Sequence, residues 1–304
     1  METNAMKPRN VLLVILWSYG LYILMNFYQF AGIMIAARQS GQSFHAIISG
    51  RFQSVRADFV VSLTALLLGV PLVFFVTYFL WRRNWDWMRL QFDLKSLAMG
   101  LVLGVLLPFV VLQVLKWLGI AKMSWQLNLW QSQETRTIII GYACMAIFAG
   151  IAEEIVFRGM AVREIAVQSG WLIAAIIGGI YFGAAHLVTK VRDLTLVDAL
   201  WILLASVLVG FLFVAMYRRS QSLWLPIGFH MAWNFCLKGV MGITMSGNAA
   251  KAGLLDVKLA GNSFLTGGSF GLEASGISLV AYVVVTLLFL SFPWSGHIEL
   301  LSSH

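Results

Sequence analysis

The stretch Gly150-Ile-Ala-Glu-Glu-Ile-Val-Phe-Arg-Gly159 places three charged residues, Glu153, Glu154 and Arg158, at the end of an apolar run that begins near Thr137. A charged residue at the centre of a membrane helix costs about 2.5–3.5 kcal/mol of insertion free energy, whereas a Leu or Ile contributes only about 0.3–0.6 kcal/mol. Charged groups at this depth usually face a protein interior or a water-filled cavity. The stretch therefore predicts a polar site inside a membrane-spanning helix.

The composition places the whole chain in the membrane. Hydrophobic residues make up 60% of the 304 residues and charged residues only 11%, against about 25% charged in a soluble domain. The mean hydropathy is +0.84. Apolar runs of about 20 residues recur along the chain, and each is long enough to cross a hydrocarbon core of about 30 Å. We predict an all-α fold, a polytopic transmembrane helical bundle with a buried polar cavity, forming a single integral membrane domain over residues 1–304.

The apolar runs predict about eight spans, with the motif-bearing core at about residues 137–241. The spans are about Val11–Ala36, Phe59–Leu80, Leu97–Leu118, Thr137–Phe157, Trp171–Val188, Leu196–Met216, Leu223–Ile243 and Ile277–Phe292. Between the fourth and fifth, Met160–Ser169 carries charge among apolar residues and is predicted to be a short interfacial helix ended by Gly170. The Gly/Ser/Asn-rich connection Ser246–Gly276 is too polar to span.

Charge determines which partners are expected. The net charge is +8, but the basic residues occur singly or in pairs between apolar runs, as interfacial anchors do. No dense Lys/Arg block of the kind that follows phosphates is present, so we expect the lipid bilayer and no nucleic acid as a partner. Cys144 and Cys236 lie in apolar runs and are interpreted as packing residues.

The orientation is only weakly indicated. Lys and Arg divide almost equally between the two alternating sets of connecting segments, but the tight basic clusters after spans two and six favour an N-terminus inside the cell. The short tails and the glycine-rich last loop are typical of a protein of the bacterial cytoplasmic (inner) membrane.

Two more spans bring polar groups to membrane depth: span five carries His186, and span seven carries His230 and Asn234. Residues four apart lie on one helix face, so His230 and Asn234 point the same way. Intramembrane histidines are often satisfied hydrogen-bonding residues, but two of them beside Glu153 favour a site. A carboxylate and an imidazole can share a water and remove its proton as it attacks a carbonyl. His and Asn donors can then stabilise the oxyanion.

Glu154 and Arg158 are also four residues apart. Their simplest interpretation is an intrahelical ion pair, and the alternative is a direct part in the site. Signatures of other intramembrane proteases are missing: the chain contains no H-E-x-x-H zinc motif, no G-x-S-G serine motif and no Gly-Asp pair of the presenilin kind.

The motifs resemble those of the CAAX prenyl endopeptidase and bacteriocin-processing family, also called the CPBP or Abi family. They are E-E-x-x-x-R at Glu153–Arg158, F-x-x-x-H at Phe182–His186, and H-x-x-x-N at His230–Asn234, in the family's order. Leu265–Glu273 also looks like a glycine-rich segment of some bacterial members. The resemblance implies an intramembrane glutamic-type endopeptidase, a hydrolase that acts on a peptide or membrane protein, with or without an attached lipid.

The resemblance also implies a role for each motif residue. Glu153 and His186 would activate the water, His230 and Asn234 would form the oxyanion site, and Glu154 with Arg158 would order the cavity. No cofactor is expected. The rival mechanism is a zinc site with Glu153, His186 and His230 as ligands.

The rival function is a non-proteolytic membrane protein, either an immunity or scaffolding relative or a proton-coupled transporter. A proton relay would need only titratable groups, so the amide of Asn234 favours the peptidase. A transporter of this kind also often shows paired broken helices in inverted repeats, and the sequence shows no such symmetry.

Overall fold

The computed structural model describes residues 10–25, 27–43, 45, 54–81, 85–188 and 195–291. The described part is mostly helical, with one small sheet. The segment with Lys7 and Arg9, before the first predicted span, and the residues from Phe292 to His304 lie outside these ranges.

The helices and strands follow in chain order. They are α1 (Val11–Met25), α2 (Tyr28–Ser40), α3 (Val55–Thr64), α4 (Val70–Val76), α5 (Leu94–Trp117), β1 (Ala121–Trp125), α6 (Gln133–Glu153), α7 (Arg163–Val188), α8 (Leu196–Ser220), α9 (Trp224–Phe235), β2 (Leu255–Leu259), α10 (Ser263–Thr266) and α11 (Gly276–Ser291). π-Helical segments extend or join them at Ala65–Gly69, Thr77–Trp81, Glu154–Val162 and Cys236–Val240, and 3₁₀ turns lie at Leu127–Gln131 and Leu272–Ala274.

Five of the described helical segments are long and apolar enough to cross a membrane: Val11–Ser40, Val55–Phe79, Leu94–Trp117, Gln133–Leu187 and Leu196–Ser220. Gly276–Ser291 is apolar but shorter. The predicted count of eight is therefore not confirmed. The 55-residue segment Gln133–Leu187 accounts for part of the difference, because it covers the fourth and fifth predicted spans together. Its backbone leaves helical geometry at Gly170 (φ 80°, ψ 162°), just before the fifth predicted span.

The predicted helix Met160–Ser169 ends at Gly170 as expected, but the prediction that it is a separate interfacial element is wrong. Helix α6 continues through the π-helical segment Glu154–Val162 into α7, and all nine residues of that segment are buried. Arg163 is only 8% exposed and its guanidinium lies 5.2 Å from the centre of the Trp87 ring. The charge on Arg163 is therefore held by a partner from a distant part of the chain, which the local sequence pattern does not show.

The prediction of an all-α fold also needs a correction. β1 pairs antiparallel with β2, with Ala121 opposite Leu259 and Trp125 opposite Leu255. Backbone groups in the connections between helices need hydrogen-bond partners of their own, and here two connections supply them to each other. The small sheet ties the segment after α5 to the loop that precedes α11.

Helices α5 and α9 cross with their backbones in close contact. A Cβ atom added at Gly100 would clash with the carbonyl oxygen of Leu225, and one at Gly104 with that of Phe229. Gly100 and Gly104 form a G-x-x-x-G pair, the spacing that lets membrane helices approach closely. This crossing fixes the position of α9, the helix that carries His230 and Asn234.

Candidate active site

Glu154 lies at the centre of a buried polar cluster. It is the first residue of the π-helical segment, in which Arg163 N–H reaches back five residues to the carbonyl oxygen of Arg158. The predicted ion pair is present: Arg158 Nη1 donates to Glu154 Oε1 at 2.9 Å, and the side chains are 1% and 0% exposed. Segments of π-helix are frequent at functional sites.

Two aromatic rings enclose the guanidinium of Arg158. Its Cζ lies 4.5 Å from the centre of the Phe182 ring on α7 and 4.3 Å from that of Phe213 on α8. A cation held against ring faces is attracted by their quadrupoles, and more strongly where water is excluded. Arg158 therefore connects three segments of the bundle through one buried charge.

His230 is the third member of this cluster. Its Nδ1 lies 2.8 Å from Glu154 Oε1, and its ring stacks on Phe213 with centroids 5.4 Å apart. In the ion pair with Arg158 the carboxylate can only accept, so Nδ1 of His230 carries the proton and donates it. His230 Nε2 lies 3.8 Å from Glu153 Oε2. Glu154 therefore holds the ring through Nδ1, and Nε2 faces Glu153.

His186 is oriented by its own helix. Its Nδ1 lies 2.9 Å from the carbonyl oxygen of Phe182, one turn earlier. A carbonyl oxygen only accepts, so Nδ1 is the donor and the lone pair of the neutral ring is on Nε2. The F-x-x-x-H motif therefore has a local function: the backbone of Phe182 selects the tautomer of His186 while the Phe182 ring packs on Arg158.

A cavity of about 480 Å³ brings the predicted residues together: its lining includes Glu153, His186, His230 and Asn234. Glu153 is 14% exposed in side-chain terms, whereas Glu154 is fully buried. Glu154 and Arg158 do not line this cavity; they lie behind His230 and hold it. Two adjacent glutamates thus have different surroundings, one facing the cavity and one enclosed by protein.

The proposed zinc ligands Glu153, His186 and His230 line the same cavity, but the donor set is not arranged as a metal site. Within the described ranges, no group of three or more His, Cys, Asp or Glu side chains has a geometry that could hold a metal ion. Each histidine has one ring nitrogen bonded to protein, through Phe182 and Glu154, an arrangement that zinc-bound histidines also show.

Sequence reasoning did not assign Glu273 to the site. This residue ends the glycine-rich stretch Leu265–Glu273, and it lines the cavity beside Ser246 and Phe270. The signal that could have found it is an acidic residue at the end of an otherwise uncharged, glycine-rich segment. Its position in the cavity depends on how the loop folds back over the helices.

Comparison with known families agrees with the motifs. Residues 135–236 match the family described as Rce1-like type II CAAX prenyl endopeptidases. The matched segment is less than half of the chain and contains the three motifs. No curated protein and no solved structure matches the chain. The resemblance to the CAAX protease family is thereby confirmed for this segment, and it supports a membrane protease.

Proposed function

We propose that this integral membrane protein, similar over its three motifs to the Rce1-like CAAX prenyl endopeptidases, is itself an intramembrane glutamic-type endopeptidase. The observation that carries the proposal is the convergence of Glu153, His186, His230 and Asn234, from three separate helices, on one cavity. Chance burial of polar groups would not gather a carboxylate, two imidazoles and an amide around a space large enough for a peptide segment.

Water activation falls to Glu153 and His186. Glu153 faces the cavity and is free of the ion pair that holds Glu154, so it is placed to accept a proton from water. His186 donates Nδ1–H to Phe182, and this bond directs Nε2, the acceptor nitrogen of the neutral ring. The water oxygen bonds to the carbonyl carbon of the substrate, and its proton passes to this pair.

Oxyanion stabilisation falls to His230 and Asn234. Nδ1 of His230 already donates to Glu154, so Nε2 can donate to an oxyanion only when the ring carries both protons. The carboxylates of Glu153 and Glu154 on either side balance the charge of that ring. Asn234 supplies an amide donor one turn further along α9. Hydrogen-bond donors that are held in place before the reaction, in a site that excludes bulk water, stabilise the transition state strongly. Mutational removal of one such donor raises the activation free energy by about 2.7–4 kcal/mol.

The proposed mechanism uses no metal or other cofactor. It is supported by the finding that, within the described ranges, no group of three or more His, Cys, Asp or Glu side chains is arranged to hold a metal ion. Extraction of metal should therefore leave hydrolysis unchanged.

The substrate is a peptide segment, from a free peptide or a membrane protein, that reaches the cavity within the bilayer. The matching family is described as CAAX prenyl endopeptidases, so substrates with and without a prenyl group are both to be tested. We place the protein in a bacterial cytoplasmic membrane.

We also place the N-terminus on the cytoplasmic side. Val11, at the start of α1, packs against the apolar cluster that contains Val162 and Ile165, so the start of α1 lies at the end of the bundle that carries Arg163. At the same end of the bundle, the backbone N–H of Leu223 donates to the carbonyl oxygen of Arg89. The basic residues near Arg89 and Leu223 therefore lie at this end as well. Positive residues favour the cytoplasmic side. A reporter enzyme active only in the cytoplasm, fused before residue 1, should be active, and its inactivity would reverse the orientation.

Hydrolysis itself is tested in proteoliposomes. Purified wild-type protein is incubated in H₂¹⁸O with a library of transmembrane peptides, each made with and without a prenylated cysteine. We expect cleavage products whose new carboxyl group contains one ¹⁸O atom, absent with the Glu153→Gln variant. If no peptide in either form is cleaved by wild-type protein that is folded and lipid-embedded, the protein is a non-proteolytic relative.

A further inference from the structure

Glu273 is a second cavity-facing carboxylate that the three motifs do not include. It lies in the 3₁₀ turn Leu272–Ala274, just before α11, and lines the same cavity as Glu153 and His186. The ring of Phe270 on the same loop lies 6.4 Å from that of His186, centre to centre. The loop therefore covers the side of the cavity on which His186 lies.

The side chain of Glu273 accepts two hydrogen bonds within the described part of the chain, and both reach the same oxygen, Oε1. Ser246 donates its backbone N–H to Oε1 at 2.6 Å and its hydroxyl to the same oxygen at 2.9 Å. In the protonated form of the carboxyl group, the oxygen that accepts two donors is the carbonyl-like one, so Oε2 is the oxygen that would carry the proton. The contact with Ser246 thus leaves Oε2 for a substrate.

The loop that carries Glu273 is fixed at its backbone. The hydroxyl of Tyr282 donates to the carbonyl oxygen of Glu273 at 3.0 Å, and Trp201 Nε1 donates to that of Ala274 at 2.6 Å. Gly271 adopts φ 122°, and a Cβ atom there would clash with the carbonyl oxygen of Thr244. These contacts fix the backbone of the loop and so restrict the position of the Glu273 side chain. A group that takes part in a reaction has to be held in position in this way.

We propose that Glu273 is the general acid that protonates the leaving amine. This inference rests on the proposed peptidase function. Hydrolysis needs both a base for the water and an acid for the amine nitrogen, because an unprotonated amide anion is a very poor leaving group. Glu153 and His186 are committed to the water, and Glu273 supplies the acid from the covering loop.

In the proposed hydrolysis, the water oxygen bonds to the carbonyl carbon of the substrate, and the proton of the water goes to the Glu153–His186 pair. The C–N bond then breaks, its electron pair goes to nitrogen, and Oε2 of Glu273 gives that nitrogen its proton. After the products leave, the proton held by the Glu153–His186 pair passes through cavity water to Glu273, so one water is consumed and no other reactant is needed.

The surroundings of Glu273 favour its protonated form. Burial raises the pKa of this carboxyl above its ordinary value, while the bonds from Ser246 and positive charge on His186 and His230 act in the opposite direction. The titratable side chains that line the cavity with it are Glu153, His186, His230, Lys238 and the tyrosines Tyr22, Tyr142 and Tyr282. When His186 takes the proton of the water, its charge lowers the pKa of Glu273 and favours release of the acid proton at the step that needs it.

A first experiment needs no substrate. Infrared difference spectra of wild-type minus Glu273→Gln protein in lipid are recorded from pH 6 to pH 10. We expect the carbonyl band of a protonated carboxyl group at pH 7, replaced by carboxylate bands as the pH rises. Carboxylate bands alone at pH 7 would overturn the proposal whether or not the protein is a peptidase.

A second experiment uses the leaving group. A peptide cleaved in the ¹⁸O assay is compared with its depsipeptide, in which the scissile N–H is replaced by oxygen and the leaving alcohol needs less protonation. Glu273→Gln should lower kcat for the peptide by about 10²–10⁴-fold, with KM nearly unchanged, and kcat for the ester by far less. Glu153→Gln should lower both, and Glu134→Gln, at an exposed position on α6, should lower neither.

If Glu273→Gln lowers kcat equally on the peptide and the ester, Glu273 only positions the loop. If it leaves kcat on the peptide unchanged, Glu273 takes no part in the reaction. Either result overturns the proposal. A failure of the proposed function is distinct, because wild-type protein would then cleave neither substrate. Elution volume and thermal midpoint of the Gln variant confirm that the loop still folds.

Discussion

His230 Nδ1 lies 2.8 Å from Glu154 Oε1, joining two residues 76 positions apart in the sequence. The same oxygen receives Arg158 Nη1 at 2.9 Å. The second glutamate of the E-E-x-x-x-R motif therefore orients the histidine of another helix, in the way that outer carboxylates orient functional histidines elsewhere. The first glutamate is left for the cavity.

Replacing Arg158 should unfold the site. Removing one partner of a buried ion pair costs about 3–5 kcal/mol, because the other charge is left uncompensated. Arg158→Ala also removes the cation between the rings of Phe182 and Phe213. We expect a lower yield, a lower thermal midpoint and lost activity, measured by scanning fluorimetry in detergent. Arg56→Ala, at an exposed position on α3, is the control. An Arg158→Ala variant as stable as wild type but slow would make Arg158 catalytic.

Glu153→Gln should abolish hydrolysis and leave the fold intact. The amide keeps the shape of the side chain and deletes the base, and general-base catalysis typically contributes about 10²–10⁴-fold. Glu153 is partly exposed to the cavity, so the thermal midpoint should stay near that of wild type. The rate of product formation is measured under single-turnover conditions. More than about a tenth of the wild-type rate would exclude Glu153 as the base.

Removal of metal should have no effect on the rate. Incubation with 1,10-phenanthroline followed by dialysis should leave cleavage of the same peptide unchanged, and elemental analysis should show well under one zinc per chain. The reason is that no group of three or more His, Cys, Asp or Glu side chains in the described part of the chain is arranged to hold a metal ion. Lost activity that stoichiometric zinc restores would instead make Glu153, His186 and His230 ligands.

Gly104→Val should disturb the site from outside it. The new side chain would meet the carbonyl oxygen of Phe229, the residue before His230, and would push α9 away from α5. We expect a lower thermal midpoint together with reduced kcat. Gly20→Val is the matched control, because no other atom lies within 4 Å of a Cβ placed at Gly20 in α1. Equal effects of the two variants would show that helix propensity alone is responsible.

The sequence by itself determined what depends on neighbours along one helix. Apolar runs identify the membrane class, because insertion free energy is summed residue by residue within a helix. Spacing of four predicted the contact of Glu154 with Arg158 and the shared face of His230 and Asn234. The motifs and their order identified the family resemblance for the same reason: each is a local pattern.

Only the tertiary structure decided which helices meet and at which register. It connected His230 to Glu154, enclosed Arg158 between rings from two other helices, and brought Glu273 over the cavity. It also corrected the interfacial helix, since the charge of Arg163 is held by Trp87. Contacts between distant segments depend on close helix crossings such as that at Gly104, where a single added carbon changes the distance between backbones, and no spacing along one helix encodes that distance.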